Sequence, residues 1–206
     1  MKAHRWYKVS GFIFVFILVG WFILTLWVEA EGPKKSWKFG VLPSSNQQIL
    51  IVYDPDPIYN LDEQICRSFG EAMADSGLHG RVATVAAARE LTDKNFAVYV
   101  FCANTYNWRP DWSITNFIEN EITIKGKPVI AITLGSGSTE WSQKAFENVI
   151  FEKSGMQIGS KSLWLLRPND QLRINEINVD VAKSAVYDWA LELTDDLHDY
   201  VKQDSL

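Results

Sequence analysis

Three groups of polar, aromatic and glycine residues follow apolar runs of the sequence, and they hold the residues best suited to chemistry. The first group is Asp54, Asp56, Tyr59 and Asn60, the second is Asn104, Tyr106 and Trp108, and the third is Gly135, Ser136 and Gly137. Paired carboxylates such as Asp54 and Asp56 can hold Mg²⁺, and beside proline they are also common turn residues. A magnesium site of this kind also needs an acidic residue at the end of the apolar run 96–102, and residues 101–104 include none. The sequence therefore does not predict a metal site.

Hydrolytic and nucleophilic chemistry has little support in the sequence. It has no Gly-x-Ser-x-Gly motif, and its three histidines are scattered outside any spaced motif. Cys102 ends an apolar run with no His or Lys beside it, which predicts a buried structural thiol. Cys66, on a predicted helix, could approach it, and a disulfide between them needs Cα atoms within about 7 Å.

The charge of the chain is unevenly distributed and excludes one class of partner. Residues 39–206 carry 14 basic and 23 acidic residues, a net charge of −9, whereas residues 1–38 carry six basic and two acidic residues. Because a domain this acidic repels a phosphate backbone, nucleic acid is not expected as a partner.

The N-terminal segment predicts a single membrane span. After a short basic tail at residues 1–8, twenty residues from Val9 to Val28 carry no charge, enough for a helix to cross a bilayer. A cleaved signal peptide is the alternative, but its apolar region would be shorter, about 7–15 residues. The span therefore predicts a signal-anchor in the lipid bilayer, and the basic tail and free amine favour an extracytoplasmic domain. Residues 29–47 are rich in Gly, Pro and Ser and predict a linker.

Residues 48–206 alternate between apolar runs and helical patterns, as in an α/β domain. The predicted strands are 49–53, 80–85, 96–102, 128–134 and 162–166, with the last helix over 179–201. Asn60 is expected to cap the first helix, with Glu63 three residues later. Continuous apolar strands joined by helices predict a doubly wound five-stranded parallel sheet that is covered on both faces.

The order of these motifs resembles the flavodoxin-like family over residues 48–201. The similarity is carried by ILIVYD at strand one, FAVYVFCANTYNWRPDWSITNFIEN at strand three and the helix after it, GKPVIAITLGSGSTEW at strand four and AVYDWALEL in the last helix. The resemblance implies strand order 2-1-3-4-5, with flavin mononucleotide (FMN) bound at the carboxyl ends of strands one, three and four. Its phosphate would lie by Asp54, Asp56, Tyr59 and Asn60; the second group would flank the ring, and the third would lie near its edge.

The predicted phosphate loop departs from the family pattern. Flavodoxins carry a Ser/Thr-x-Thr-Gly-x-Thr loop there, whereas this chain has Asp54-Pro55-Asp56-Pro57, without glycine and with two residues that lack an N–H. Two functions remain open. One is a membrane-tethered, FMN-dependent electron-transfer protein with an unidentified redox partner. The other is a flavodoxin-fold module that has lost FMN binding and acts as a non-catalytic interaction or accessory domain.

Overall fold

The chain divides into two compact units in the computed structural model, which describes residues 2–41, 49–91 and 95–204. The boundary between the units in the chain falls between Ala30 and Glu31. Residues 42–48, which include the end of the predicted linker and the first residue of the predicted domain, lie outside the described residues.

The first unit is the helix α1, Lys2–Val28. Its residues Val9–Val28 have a mean hydropathy of 2.5, and by length and composition they could cross a membrane or serve as a signal sequence. The helix begins at Lys2, so the predicted basic tail is part of α1 rather than a separate segment. Side chains described in α1 are largely exposed on every side, which leaves an apolar surface that the unit does not cover itself.

The second unit is a sheet with helices on both faces. Its strands are β1 Ser36–Phe39, β2 Ile49–Tyr53, β3 Gly80–Thr84, β4 Val98–Tyr106, β5 Arg109–Pro110, β6 Pro128–Gly135 and β7 Met156–Trp164. Its helices are α2 Leu61–Asp75, α3 Val85–Ala88, α4 Trp112–Asn120, α5 Glu140–Glu152, α6 Asn178–Glu192 and α7 Thr194–Asp204. The strand order is β1-β3-β2-β4-β6-β7, with β5 paired to the end of β4.

Strands β3, β2, β4, β6 and β7 are mutually parallel, which confirms the predicted order of five parallel strands. Among the described residues, the sheet has two strands more than predicted, the short antiparallel strands β1 and β5. Alternate residues of the central strands face opposite layers. Ile49, Ile51 and Tyr53 pack with α2, α6 and α7, while Leu50 and Val52 pack with α3, α4 and α5. Since both faces are buried, β2 is a continuous apolar run with no polar side.

The prediction of an irregular linker over residues 29–47 is wrong at Ser36–Phe39, which form the edge strand β1. This strand pairs antiparallel with β3, with Phe39 opposite Gly80. Only Phe39 of its four residues is fully buried. A short edge strand with one buried side chain has almost no period-2 pattern, so the sequence does not reveal it.

Three other element boundaries differ from prediction. The last predicted strand, 162–166, corresponds to the end of β7, which runs from Met156 to Trp164. The start of β7 was missed because this edge strand is half exposed and lacks an apolar run. The strand predicted at 96–102 continues to Tyr106 and turns back as β5. The predicted helix 179–201 is two helices, separated at Leu193. Its N–H donates to the carbonyl of Ala190, three residues back, which tightens the last turn of α6.

Candidate functional site

The carboxyl ends of β2, β4 and β6 lie side by side, so the three predicted groups follow neighbouring strands at one edge of the sheet. Tyr53 of β2 is opposite Cys102 of β4, and Asn104 of β4 is opposite Leu134 of β6. We call this the carboxyl edge. The structure therefore confirms the convergence of the three segments that the sequence predicted.

The β2–α2 loop is organised around the carboxylate of Asp56. Its Oδ1 accepts hydrogen bonds from the N–H groups of Ile58, 2.7 Å, and Tyr59, 2.9 Å. Its Oδ2 accepts one from the hydroxyl of Tyr106, 2.7 Å, and this carboxylate raises the pKa of Tyr106 in addition to burial, which is the larger cause. Asp56 thus joins the loop to β4 and binds two backbone donors of its own turn.

Asp54 is buried under the segment that follows α1. Its Oδ1 accepts a hydrogen bond of 3.0 Å from the N–H of Gly32, and the hydroxyl of Ser113 also donates to it. Burial nevertheless raises the pKa of Asp54 above its usual value. Asp54 is therefore a buried acceptor for the chain's own donors.

The sequence interpretation missed Asp62, the second residue of α2 and only 1% exposed. Its Oδ2 accepts from the N–H of Asp56, 2.6 Å, and from Nδ2 of Asn104, 2.9 Å, while Oδ1 accepts from the N–H of Glu63, 2.6 Å. Burial raises its pKa to about 6, and the hydrogen bonds from Asn104 and Asp56 partly oppose that rise. The sequence did offer one indication of Asp62, because an acidic side chain is favourable in the first turn of a helix.

Asn60 does not make the predicted cap of α2. Its side chain makes no capping bond, and its Oδ1 accepts from Nε2 of Gln64, 2.7 Å, on the exposed side of the helix. Tyr59 beside it is 54% exposed. The capping prediction is wrong because the N–H of Glu63, which Asn60 was expected to bind, is bonded to Asp62.

The residues after the second apolar run divide between two environments. Asn104 is buried, and its Nδ2 also lies 3.3 Å from the carbonyl of Asp54, so it bridges the loop and β4. Trp108 is 68% exposed at the tip of the β4–β5 hairpin. Asn107 and Trp108 have φ angles of 49° and 61°, the two left-handed residues of a tight hairpin turn.

The third group belongs to a separate set of contacts. The carbonyl of Gly135 accepts from the N–H of Leu165, 2.9 Å, and the carbonyl of Ser136 accepts from the N–H groups of Leu166 and Arg167. Gly137 lies against Arg167, whose Cβ is 3.3 Å from the position a Gly137 Cβ would take. These hydrogen bonds of the loop, and its contact with Arg167, lead to the segment after β7 and not to Asp56.

The two cysteines meet inside the domain as free thiols. Both Cys66 of α2 and Cys102 of β4 are buried, and burial together with a hydrogen bond to Cys102 raises the pKa of Cys66. Cys102 is buried in the core, in agreement with the structural role predicted for it.

The residues of the β2–α2 loop do not fit a flavin phosphate. Four N–H groups, those of Asp56, Ile58, Tyr59 and Glu63, already donate to carboxylates of the same chain. A phosphate would either displace these carboxylates or lie beside them, and each pair of unit charges about 4 Å apart repels by about 4 kcal/mol at an effective dielectric of about 20. An adjoining cleft of about 350 Å³ contains Asp56 and, among the described residues that line it, no cation.

The architecture is that of a doubly wound α/β module whose β2–α2 loop is closed by its own carboxylates. No family model matches the sequence, and no curated protein matches it. Among solved structures, an archaeal flavodoxin is 13% identical and has a TM-score of 0.53, covering 72% of this chain and 99% of that chain. A flavodoxin, WrbA-like protein from Agrobacterium tumefaciens is 8% identical, with a TM-score of 0.52 and coverage of 76% and 99%.

A larger protein shares the same fold in part. The rubredoxin oxygen:oxidoreductase from Desulfovibrio gigas is 11% identical with a TM-score of 0.57, and the match covers 75% of this chain but 37% of that chain. Identities this low establish the fold alone. The chain therefore has a flavodoxin-like fold.

Proposed function

We propose that this chain is a membrane-anchored, flavodoxin-fold module that does not bind FMN and serves as a non-catalytic interaction domain. The observation that carries the proposal is the bonding of Asp56 and Asp62 to four N–H groups of the β2–α2 loop and first helical turn. Those donors are the ones that a flavodoxin-like fold offers to a phosphate at a helix N-terminus. In this chain they stabilise the loop itself.

The anchor part of the proposal depends on α1. Residues Val9–Val28 are long and apolar enough to cross a bilayer, and their side chains are exposed in the structure. Embedding them in lipid covers that surface and leaves residues 31–206 as the part available to partners.

FMN-dependent electron transfer is the second candidate, with the flavin held by its ring instead of its phosphate. The observation that favours it is the convergence of the three segments at the carboxyl edge, where a flavodoxin-like fold binds its cofactor. The chemistry of this second candidate would be supplied by the flavin. Asn104 is buried and bonded to Asp62, and the hydroxyl of Tyr106 is bonded to Asp56, so the exposed Trp108 is the member of the second group most accessible to a ring.

The experiment that separates the two candidates is a flavin titration of the full-length protein purified in detergent. We expect no flavin absorbance in the isolated protein and no quenching of added FMN or riboflavin fluorescence. Stoichiometric flavin in the isolated protein would overturn the proposal. Equal binding of FMN and riboflavin would do the same and would support the ring-held alternative.

The variant Asp56→Gly provides the matched comparison, because it removes one carboxylate and releases the N–H groups of Ile58 and Tyr59. Any FMN affinity that this variant gains over riboflavin is due to the phosphate. Circular dichroism of the variant checks that the fold is retained.

A further inference from the structure

Strongly exposed apolar side chains are concentrated at the carboxyl edge. Eight large apolar side chains in the described part of residues 31–204 are more than 60% exposed, and six of them lie on loops or first helical turns at this edge. We call these six the apolar rim: Trp108, Trp141, Leu166, Leu172, Ile174 and Ile177. The other two, Val41 and Phe151, lie at the opposite, amino edge. A one-sided concentration of this kind marks an interaction surface.

The segment that carries most of the rim is fixed at both ends to the carboxyl edge. Its start is bonded to Gly135 and Ser136 at the end of β6. Its end is Asn178, whose Nδ2 donates to the carbonyls of Trp164 and Leu165 at 2.8 and 3.0 Å. The same loop, fixed at both ends to this edge, therefore carries four exposed apolar residues, Leu166, Leu172, Ile174 and Ile177.

The chain enters the second unit at the same edge. The N–H of Gly32 bonds to Asp54, and a Cβ on Gly32 would lie 2.7 Å from Cδ of Pro55, so its backbone packs directly against the β2–α2 loop. Two residues after Lys34, the chain begins β1, and Lys35 exchanges hydrogen bonds with Thr84 at the carboxyl end of β3. The first residues after α1 are thus held at the carboxyl edge.

Covalent geometry limits the distance from this edge to the end of the apolar helix. Val28 and Gly32 are four residues apart, which fully extended spans at most about 14 Å. This limit follows from chain length and holds for any arrangement of the two units. If Val9–Val28 spans a bilayer, the edge that holds Gly32 cannot be far from the lipid headgroups.

The chemistry of the rim fits an uncharged lipid surface. Tryptophan is favoured at the membrane–water boundary, and leucine and isoleucine are favoured deeper. Both arginines of the rim segment are paired with carboxylates of the chain, Arg167 with Glu140 at 3.2 Å and Arg173 with Glu176 at 2.7 Å, while Asp170 accepts a hydrogen bond from the N–H of Leu172. The remainder of the domain is acidic, so attraction to anionic lipid does not drive contact.

We propose that the apolar rim lies against the headgroup region of the bilayer that holds α1, so that lipid covers the carboxyl edge. The proposal rests on the membrane anchor of the proposed function and not on the absence of flavin. It assigns the face that a flavodoxin-like fold uses for its cofactor to the membrane surface. The amino edge and the helical faces then remain for partners in water.

The test places a fluorophore at either edge of the full-length protein in phosphatidylcholine vesicles that contain nitroxide-labelled lipid. Leu172→Cys labels the rim, and Phe151→Cys, of similar exposure at the amino edge, is the matched control. The native Cys66 and Cys102 are buried and should not react, which the unsubstituted protein checks. We expect the nitroxide lipids to quench the label at 172 by about twofold or more and to leave the label at 151 unchanged, with no effect of added salt.

A second variant separates lipid contact from accidental proximity. Replacing Leu166, Leu172 and Ile174 with Gln removes three exposed side chains without touching the core, and it should abolish quenching of a label at Ile177→Cys while α1 still retains the protein in vesicles. Equal quenching at both edges overturns the proposal. Quenching that requires anionic lipid also overturns the proposal. A rim that is shielded from a water-soluble quencher only in native membranes overturns it as well, because that result would indicate a protein partner.

Failure of the anchor gives a different result. Full-length protein that does not float with the vesicles lacks the span on which both proposals depend, and the flavin titration remains interpretable by itself. Protein that floats but leaves residue 172 unquenched overturns the rim proposal alone.

Discussion

The Asp56 carboxylate accepts hydrogen bonds from two backbone N–H groups and one phenol, a coordination that resembles the binding of an anion by a loop at a helix N-terminus. Asp62 adds three further acceptor contacts within a few residues. Between them, the two side chains satisfy backbone donors that glycine- and threonine-rich loops leave to a ligand. The backbone donors of the β2–α2 loop are therefore bonded to side chains of the same protein.

Asp56→Ala should destabilise the second unit, because it leaves the N–H groups of Ile58 and Tyr59 and the hydroxyl of Tyr106 without their acceptor. We expect a loss of about 1–3 kcal/mol in the free energy of unfolding, measured by urea denaturation of the detergent-solubilised protein. Asp170→Ala, which removes a single comparable bond to the N–H of Leu172, should cost less. Equal losses in the two variants would contradict the role given to Asp56.

Asp62 should make stability depend on pH. Its folded pKa, about 6, lies above the ordinary value of 3.8, so the folded state binds the proton more tightly than the unfolded state. The free energy of unfolding that this group contributes therefore rises as pH falls through 6 and is lost as pH increases. Between pH 7 and pH 5 the unsubstituted protein should gain about 1 kcal/mol relative to Asp62→Asn.

The measurement is the pH dependence of urea unfolding for both proteins, and only the difference between the two slopes is interpreted. This removes the contributions of other groups and the direct cost of the substitution. Parallel curves over this range would contradict the raised pKa of Asp62.

At the level of elements, β1 is the feature that the sequence concealed, and its contribution can be measured. Phe39 is 8% exposed and packs against Gly70 and Gly80, whereas Phe151 is 80% exposed. Phe39→Ala should cost about 3–5 kcal/mol because it opens a cavity in the core, and Phe151→Ala should change stability by less than about 0.5 kcal/mol. Similar, small effects of both substitutions on thermal unfolding would show that β1 is dispensable.

The central strands could be predicted because both of their faces are buried, which makes β2 and β6 continuous apolar runs. The edge strands could not be predicted in this way, because they lack continuous apolar runs. β7 is half exposed along most of its length, and β1 buries one of its four residues. The order of the parallel strands followed from the resemblance and the connections, which explains why the topology was predicted better than the boundaries.

Part of the site could also be predicted from the arrangement of the strands. Asp54, Asp56, Asn104 and Tyr106 meet because parallel strands bring their following residues to one edge. The sequence could not show which donors each carboxylate would bind, so Asp62 was missed. Trp108 points outward because a two-residue hairpin turn, visible only once β5 is known, places it at the tip.

At the scale of the whole molecule, the proposed membrane anchor makes a prediction about the side of the membrane on which the second unit lies. Close to the span, three basic residues precede it and three follow it, and taking the basic tail as the inner flank predicts an extracytoplasmic domain. This predicts that Phe151→Cys, exposed at the amino edge, reacts with a membrane-impermeant maleimide in intact cells. The length of the apolar segment also predicts that residues 9–28 remain in the mature protein.

The control for this prediction is Ala3→Cys in the tail before the span, which should react only after the cells are permeabilised. The native thiols Cys66 and Cys102 are buried, so they should not contribute to the signal. Labelling at residue 3 but not at residue 151 in intact cells would invert the topology and leave the anchor intact. Detection of a mature N-terminus beyond Val28 would instead show that the apolar segment is a cleaved signal, because the same composition that favours a span also directs secretion.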